Sequence, residues 1–289
     1  MTDSQTDYPF PALTTAQRYH FEVNGYVVIE KVLTENETGR LLEAMYKLKQ
    51  DFLNTADPAI AHVRNCYLSN HSPDHLHFAH ILETDPAVFD YLTKPRLVGM
   101  AAEIVGGDVR LEESEAIINK KPPLKDEVDS TFRFHAGTTP EIGTYTVNNL
   151  HHCTFVKTLT NLTELGPEDG GTVCIAGSHK VGGSRDAIIA AAYGDQSLIH
   201  QITAPAGSTM LFGESLIHAT GHIHSDRERC IVIGGYTPTM YQAWNNQEPS
   251  PEFIRNVPEN LQPLVSGSKK WQWKQNHRSL ETKPKTAND

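Results

Sequence analysis

The sequence predicts a mainly β chain forming one domain, in which an α-helical N-terminal layer packs on a β core. Three observations lead there. The first hundred residues carry apolar side chains at helical spacing behind recognisable caps. From about residue 109 the apolar runs become short and are divided by Gly, Pro and Asp clusters, which fits a barrel or sandwich better than alternating βαβ units. With 38% hydrophobic and 21% charged residues over 289 positions, the chain can bury a sizeable core and does not have a disordered composition.

Taken in order, Thr14 to His20 opens a helical stretch, and Gly25-Tyr26-Val27-Val28-Ile29 is a β-branched run of the kind a strand needs. Thr34-Glu35-Asn36-Glu37 reads as a cap and first turn. It leads into a helix whose Leu41, Leu42, Met45 and Leu48 share one face. Residues 62–80, rich in His and Asn, are expected to form a loop. A helical stretch follows near 86–104 and ends at Gly106-Gly107. The strand candidates then come in series: Ala116–Ile118, Phe155–Leu159, Val173–Ile175, Thr209–Phe212 and Ile231–Ile233. Arg185–Ala192 is expected as a helix between strands. Residues 267–289, with Trp271 and Trp273 ahead of a polar tail, are expected as a peripheral arm. The expected boundaries within the single domain, 1–289, are a helical layer at about 13–108, a β core at about 109–240 and a C-terminal arm at 241–289.

The net charge of −10 argues against a protein built to hold nucleic acid. No apolar stretch reaches the roughly 18 residues of a membrane span, and the N-terminus shows no secretory pattern. Cys66, Cys153, Cys174 and Cys230 lie far apart, so they read as reduced thiols of a cytoplasmic protein. A small-molecule substrate is expected, and no sequence feature specifies an oligomeric state. The 15 histidines direct attention to metal chemistry.

Three features share that chemistry: Phe134-His135-Ala136-Gly137, the segment Gly207 to His218, and Arg229 at the head of the run Cys230–Ile233. Two histidines and a carboxylate on one face of an ion leave positions open for a co-substrate and O2. An arginine on an adjoining strand can grip the far carboxylate of a keto acid in a bidentate pair. Spacing alone does not join these residues.

A resemblance joins them. Leu13 to Phe21, Asn24 to Ile29, Val32-Leu33-Thr34, the run Gly170-Gly171-Thr172-Val173-Cys174-Ile175-Ala176-Gly177-Ser178-His179-Lys180, and Gly207–Phe212 with His218, Ser225-Asp226 and Arg229 resemble the phytanoyl-CoA dioxygenase-like family over about residues 13–240. The resemblance implies a double-stranded β-helix (jelly-roll) core that binds Fe(II) and 2-oxoglutarate and consumes O2. Carried over position by position, it implies His135 and His218 as the metal ligands. Arg229 is implied for the 2-oxoglutarate C5 carboxylate, Thr220 beside it, and Lys121 (or Lys120, one register away) as a further keto-acid contact. Leu159 stands where the family usually places an aromatic residue.

The chain departs from the family's His-x-Asp pattern at Gly137, which has no side chain to offer. In related enzymes a Gly or Ala at this position marks radical halogenases, in which chloride takes the carboxylate's place. Three other outcomes stand beside halogenation: Glu214 as a substitute carboxylate in a hydroxylase, His151 or His152 completing a three-histidine site, or a non-catalytic jelly-roll binding protein. The joint presence of His135, His218 and Arg229 speaks against the last. His224-Ser225-Asp226 and His20-Phe21-Glu22 imitate the ligand spacing, but the first is expected in a turn and the second in a helix. His179 is expected to be structural. Lys157 and His152 are candidates to meet an anionic substrate.

Overall fold

The computed structural model describes residues 8–122, 131–242, 248–271 and 280. Helix α1 (Thr15–Asn24) starts at Thr14, whose hydroxyl accepts the Gln17 amide while the Gln17 side chain accepts the Thr14 amide. Gly25, at φ 81°, stops it in the left-handed conformation that glycine tolerates and turns the chain into β1 (Tyr26–Ile29). The same reciprocal cap, between Thr34 and Glu37, starts α2 (Glu35–Leu53). The helical stretch expected near 86–104 divides into α3 (Pro86–Leu92) and α4 (Pro95–Val105). Pro95 causes the break: it has no amide to donate and drives Lys94 out of helical geometry, to ψ 120°.

The expected loop at 62–80 is instead three strands, β2 (His62–Val63), β3 (Cys66–Ser72) and β4 (His75–Ala79). Its His and Asn content hides a period-two pattern. Leu76 and Phe78 are buried toward the helices while His75 and His77 take the opposite face. The remaining elements are β5 (Val109–Asn119), α5 (Pro140–Gly143), β6 (Thr144–Val147), β7 (Leu150–Cys153), β8 (Val156–Asn161), β9 (Val173–Ile175), α6 (Arg185–Gly194), β10 (Ile199–Gln201), β11 (Thr209–Gly213), β12 (His218–Ala219), β13 (Arg229–Pro238), α7 (Pro251–Asn256) and α8 (Gln262–Ser266).

The fold is predominantly antiparallel β, of the jelly-roll type. An eight-stranded sheet runs in the order β1-β11-β8-β13-β5-β4-β3-β2 and faces a three-stranded sheet ordered β10-β9-β12, with β6 and β7 paired apart. The large sheet is apolar on both faces. One face carries Val27, Leu211, Val156, Val232, Ile118 and Phe78 against Phe21, Met45, Leu48 and Phe52 of the helical layer. The other carries Met210, Phe212, Leu159, Ile231, Ile233 and Ile117 toward Cys174 of the small sheet and Leu216 in the turn before it. A third cluster lies under α6, where Ala192 meets Val173, Ile175, Ile217 and Ala219. Strand alternation therefore sends His218 and Cys174 inward while Ala219 and Val173 face α6.

The C-terminal segment is less peripheral than expected. Leu264 and Val265 of α8 are buried in the main core and Trp271 packs against it, whereas Trp273 lies outside the described residues. The four cysteines are buried and unbonded to one another. Among the described residues no helix is long and apolar enough to cross a membrane.

Candidate metal centre

His135 and His218 come together because their backbones pair. Each amide donates to the other's carbonyl at 2.9 Å, and the rings stand 4.3 Å apart between centroids. His218 Nδ1 lies 2.9 Å from the Leu216 carbonyl and His135 Nδ1 3.2 Å from that of Arg133. A carbonyl can only accept, so in both bonds Nδ1 carries the proton and Nε2 keeps its lone pair for a metal. His218 is buried, with its ring against the Phe212 ring at 4.7 Å, while His135 is exposed at the rim. Burial lowers the His218 pKa to about 4, a shift partly opposed by Glu214.

The turn at Gly177–Lys180 serves this pair structurally. Ser178 Oγ accepts the Ile217 amide at 2.9 Å, and the Ile175 amide donates to the Ile217 carbonyl, fixing the backbone next to His218. His179 stacks edge-on against His151 at 4.7 Å, away from the pair. His152 packs on Tyr145 and donates from Nδ1 to the Ile104 carbonyl at 3.0 Å. His151 and His152 thus lie on β7 against the helical layer, and the structure does not bring either to His135 and His218. Among the described residues no three His, Cys, Asp or Glu side chains are grouped to hold a metal.

At Gly137 the space a side chain would fill is taken. A Cβ built there would collide with Oε2 of Glu214. That oxygen accepts the Gly137 amide at 2.8 Å, and the backbone carbonyl of Glu214 accepts the amides of Gly137 and Thr138 at 3.0 and 3.2 Å. The other carboxylate oxygen pairs with Lys157 Nζ at 3.0 Å, and Lys157 also meets Glu113 at 2.9 Å. Burial pushes the Glu214 pKa up, but Lys157 and His218 together with the Gly137 amide outweigh it, and the group ends below the ordinary carboxylate value. Lys157 is thereby committed to carboxylates of this chain. Beside Gly137 lies a cavity of about 360 Å3, lined by Thr138, Glu141, Ser178, Arg185 and Ser215.

Arg229 begins β13 on the face it shares with Ile231 and Ile233, toward the barrel interior. It is buried, makes one long contact of 3.5 Å to Asn119, has a buried Nε without a hydrogen-bond partner, and pairs with no carboxylate among the described residues. Burial lowers its pKa to about 10, still far above neutrality. The loop before it is pinned by Asp169, which accepts Ser225 Oγ at 2.6 Å and Arg227 Nη2 at 2.5 Å. His224 and Asp226 lie in this loop, where the His224 amide donates to the Glu168 carbonyl.

Thr220 follows His218 by two positions and is exposed. Lys120 and Lys121 are exposed past the end of β5, and no contact ties either to Arg229. Leu159 sits in the barrel interior, its Cα opposite Ile233 and Met210. Sequence reasoning did not single out Glu113, Glu115 or Asn119. All three lie on the inward face of β5 with Ile117, and their signal is the alternation in Glu113-Ser114-Glu115-Ala116-Ile117.

A sequence model of the family described as Phytanoyl-CoA dioxygenase (PhyH) matches residues 21–231. No curated protein matches the sequence significantly. Similar solved structures include HygX from Streptomyces hygroscopicus with nickel and 2-oxoglutarate bound, at 20% identity and TM-score 0.64, covering 81% of this chain and 90% of that one. Another HygX structure holds hygromycin B as well. The non-heme alpha ketoglutarate dependent carbocyclase SnoK from nogalamycin biosynthesis is 17% identical with TM-score 0.59, covering 85% and 92% of the two chains. AviO1 from Streptomyces viridochromogenes Tue57 is 17% identical with TM-score 0.59, covering 78% and 96%.

Proposed function

This chain belongs to the phytanoyl-CoA dioxygenase (PhyH) family, and from that premise we propose that it is an Fe(II)- and 2-oxoglutarate-dependent oxygenase acting on a C–H bond of a small molecule. The carrying observation is Arg229, a buried cation with no carboxylate partner among the described residues, in a barrel whose interior holds His218 and whose rim holds His135, both with Nε2 left free. An uncompensated buried guanidinium is costly unless an anion arrives to pair with it. A dicarboxylate meets that need and still has its keto-acid end to offer a metal.

His135 and His218 would hold the iron, Arg229 the distal carboxylate of 2-oxoglutarate, and Thr220 the region beside it. Lys121 remains a candidate contact at the mouth. What the bound pair supplies is oxidising power: per turnover one O2 and one 2-oxoglutarate become succinate, CO2 and one oxygen atom placed in the substrate's C–H bond. The chain's own work is to hold both histidines as Nδ1–H tautomers, to orient the keto acid through Arg229, and to keep water out with Leu159, Ile231 and Ile233. Hygromycin B bound to HygX, together with nickel and 2-oxoglutarate, supports a small-molecule substrate here.

Gly137 favours a second reading, halogenation. There chloride would sit beside the histidines and form a C–Cl bond in place of C–O. One chloride and one proton are then consumed with O2 and 2-oxoglutarate, and water is released with succinate and CO2.

The test of the first reading is succinate formation from 2-oxoglutarate, followed with and without Fe(II) and O2. Succinate should appear only when both are present and should fall to background in His135→Ala, His218→Ala and Arg229→Ala. Production unaffected by these three variants would overturn the proposal.

A further inference from the structure

We propose that His75 and Asn119 complete the carboxylate site at Arg229, so that the far carboxylate of the keto acid is received by a row of donors on β4, β5 and β13 and not by the arginine alone. The inference rests on the 2-oxoglutarate reading above and concerns only the end of the keto acid remote from the histidine pair, so it requires no metal.

Strand register sets the row. The Cα of Asn119 lies opposite that of Arg229 on β13 and that of His75 on β4. Residues paired across antiparallel strands present their side chains on one face. The adjacent row, Leu76, Ile118 and Cys230, is buried in the helical core. His75, Asn119 and Arg229 therefore take the opposite face, the one on which Ile117 and Ile231 enter the barrel interior. The inner face of the sheet thus ends in polar side chains where its middle is apolar.

Both neighbours of Arg229 have capacity to spare. Asn119 is buried, and its one side-chain hydrogen bond among the described residues is the 3.5 Å contact from Arg229 to Oδ1. The His75 ring is half-buried, stands edge-on to His77 at 6.4 Å and makes no hydrogen bond among the described residues. His77, by contrast, is engaged, its Nε2 lying 3.1 Å from the Glu115 carboxylate. Burial holds the His75 pKa below 6.5, His77 and the Arg229 charge lower it further, and Asp74 opposes them, so the imidazole is close enough to feel the guanidinium and adds no charge at neutral pH. A carboxylate presents about four lone-pair sites. A guanidinium fork fills about two of them, and acceptors left unmade in a buried site are costly. The Asn119 amide, turned over to donate from Nδ2, and the His75 N–H fill the remainder, while the single charge of Arg229 balances the single charge of the carboxylate. Lys121, exposed past the end of β5, is not needed.

Calorimetry on the full chain with glutarate and with 2-oxoglutarate, in EDTA and again with Co(II) but without O2, tests this beside NMR of the histidine rings. The wild type should bind both dicarboxylates, with the His75 ring signals shifting on saturation and those of His77 shifting less. Asn119→Leu and His75→Phe should each weaken binding of both dicarboxylates by about 10- to 100-fold. His75→Gln, which keeps an N–H donor, should stay within a few-fold of wild type, a rescue that a merely structural role would not give. Asn119→Asp should abolish binding, since its own carboxylate would occupy Arg229. If Asn119→Leu does not fold, the His75 variants and the wild-type ring shifts carry the test. Affinity unchanged in the Asn119 and His75 variants while Arg229→Met loses binding, or His75 signals that do not move on saturation, overturns the row and leaves the keto-acid reading intact. A wild type that binds neither dicarboxylate in either condition, or binding indifferent to Arg229→Met, overturns both.

Discussion

His135 and His218 exchange both of their backbone hydrogen bonds, each at 2.9 Å, although 83 residues of chain separate them. Their pairing is thus a matter of strand register. Moving either strand by one residue would turn a ring out of the barrel and an alanine in, since Ala136 and Ala219 are the next side chains along. The small sheet supports the register through Ser178 and the Ile175–Ile217 bond, and α6 covers its outer face.

Lys157 is the sole cation in contact with both Glu113 and Glu214 among the described residues. Replacing it by methionine strands two carboxylates in a largely buried site. Lys157→Met is expected to lower the unfolding free energy by about 3–5 kcal/mol, read from urea denaturation. A loss below about 1 kcal/mol would mean that solvent already screens the cluster.

Arg229 carries a buried charge that nothing in the described chain neutralises. Arg229→Met is therefore expected to stabilise the protein in the absence of keto acid, by about 1–4 kcal/mol. The same variant should lose the upward shift of melting temperature that 2-oxoglutarate gives the wild type, worth about 2.7 kcal/mol at a hundredfold excess over the dissociation constant. Thermal melts with and without 2-oxoglutarate check both halves.

Asp169 ties the loop before Arg229 to the turn at Gly166, accepting the Gly166 amide, Ser225 Oγ and the Arg227 guanidinium. Asp169→Ala should cost about 1.5–3 kcal/mol of stability. It should also raise the KM for 2-oxoglutarate more than it lowers kcat, because it loosens the segment that places Arg229 without touching the metal pair. Steady-state kinetics with varied 2-oxoglutarate make the distinction.

Burial holds His151 at a pKa of about 3, with the neighbouring cations and histidines lowering it further, and His179 at about 4, with Lys180 lowering it further and Glu22 opposing, against an ordinary 6.5. Below about pH 6.5 the unfolded chain takes up protons that the folded chain refuses until about pH 4 or lower. The stability present above pH 6.5 is therefore lost progressively as the pH falls. Glu113, raised by burial from 4.5 to about 7, acts in the opposite sense over the same range. His151→Gln with His179→Gln should flatten or invert the acid loss in urea melts between pH 7 and 5. An unchanged slope would place its origin elsewhere.

The N-terminal helices, the strand series and the two histidines at 135 and 218 that the fold pairs were legible because each has a local signature: caps, periodicity, or a motif that resembles a family. The three strands at 62–80 were not, since their outward positions carry His and Asn while Leu76 and Phe78 supply too short an apolar series. Nor was the partnership of Gly137 with Glu214, which depends on a turn bringing residues 77 positions apart into contact. Lys157 read as a candidate for an anionic substrate because its carboxylate partners, Glu113 on β5 and Glu214 in the turn after β11, are out of reach of any local pattern. His151 and His152 read as possible ligands for the same reason in reverse: adjacency to a strand says nothing about which face of the barrel they serve.

His135, His218 and Arg229 are proposed together to form the iron and 2-oxoglutarate site. Anaerobic titration of the protein with Fe(II) and 2-oxoglutarate, followed by visible absorption, tests it most directly. A weak charge-transfer band should develop in the wild type, vanish in His218→Ala, and require far more 2-oxoglutarate in Arg229→Ala. A wild-type protein that shows no band at any iron concentration, or a band that survives His218→Ala, would contradict the account.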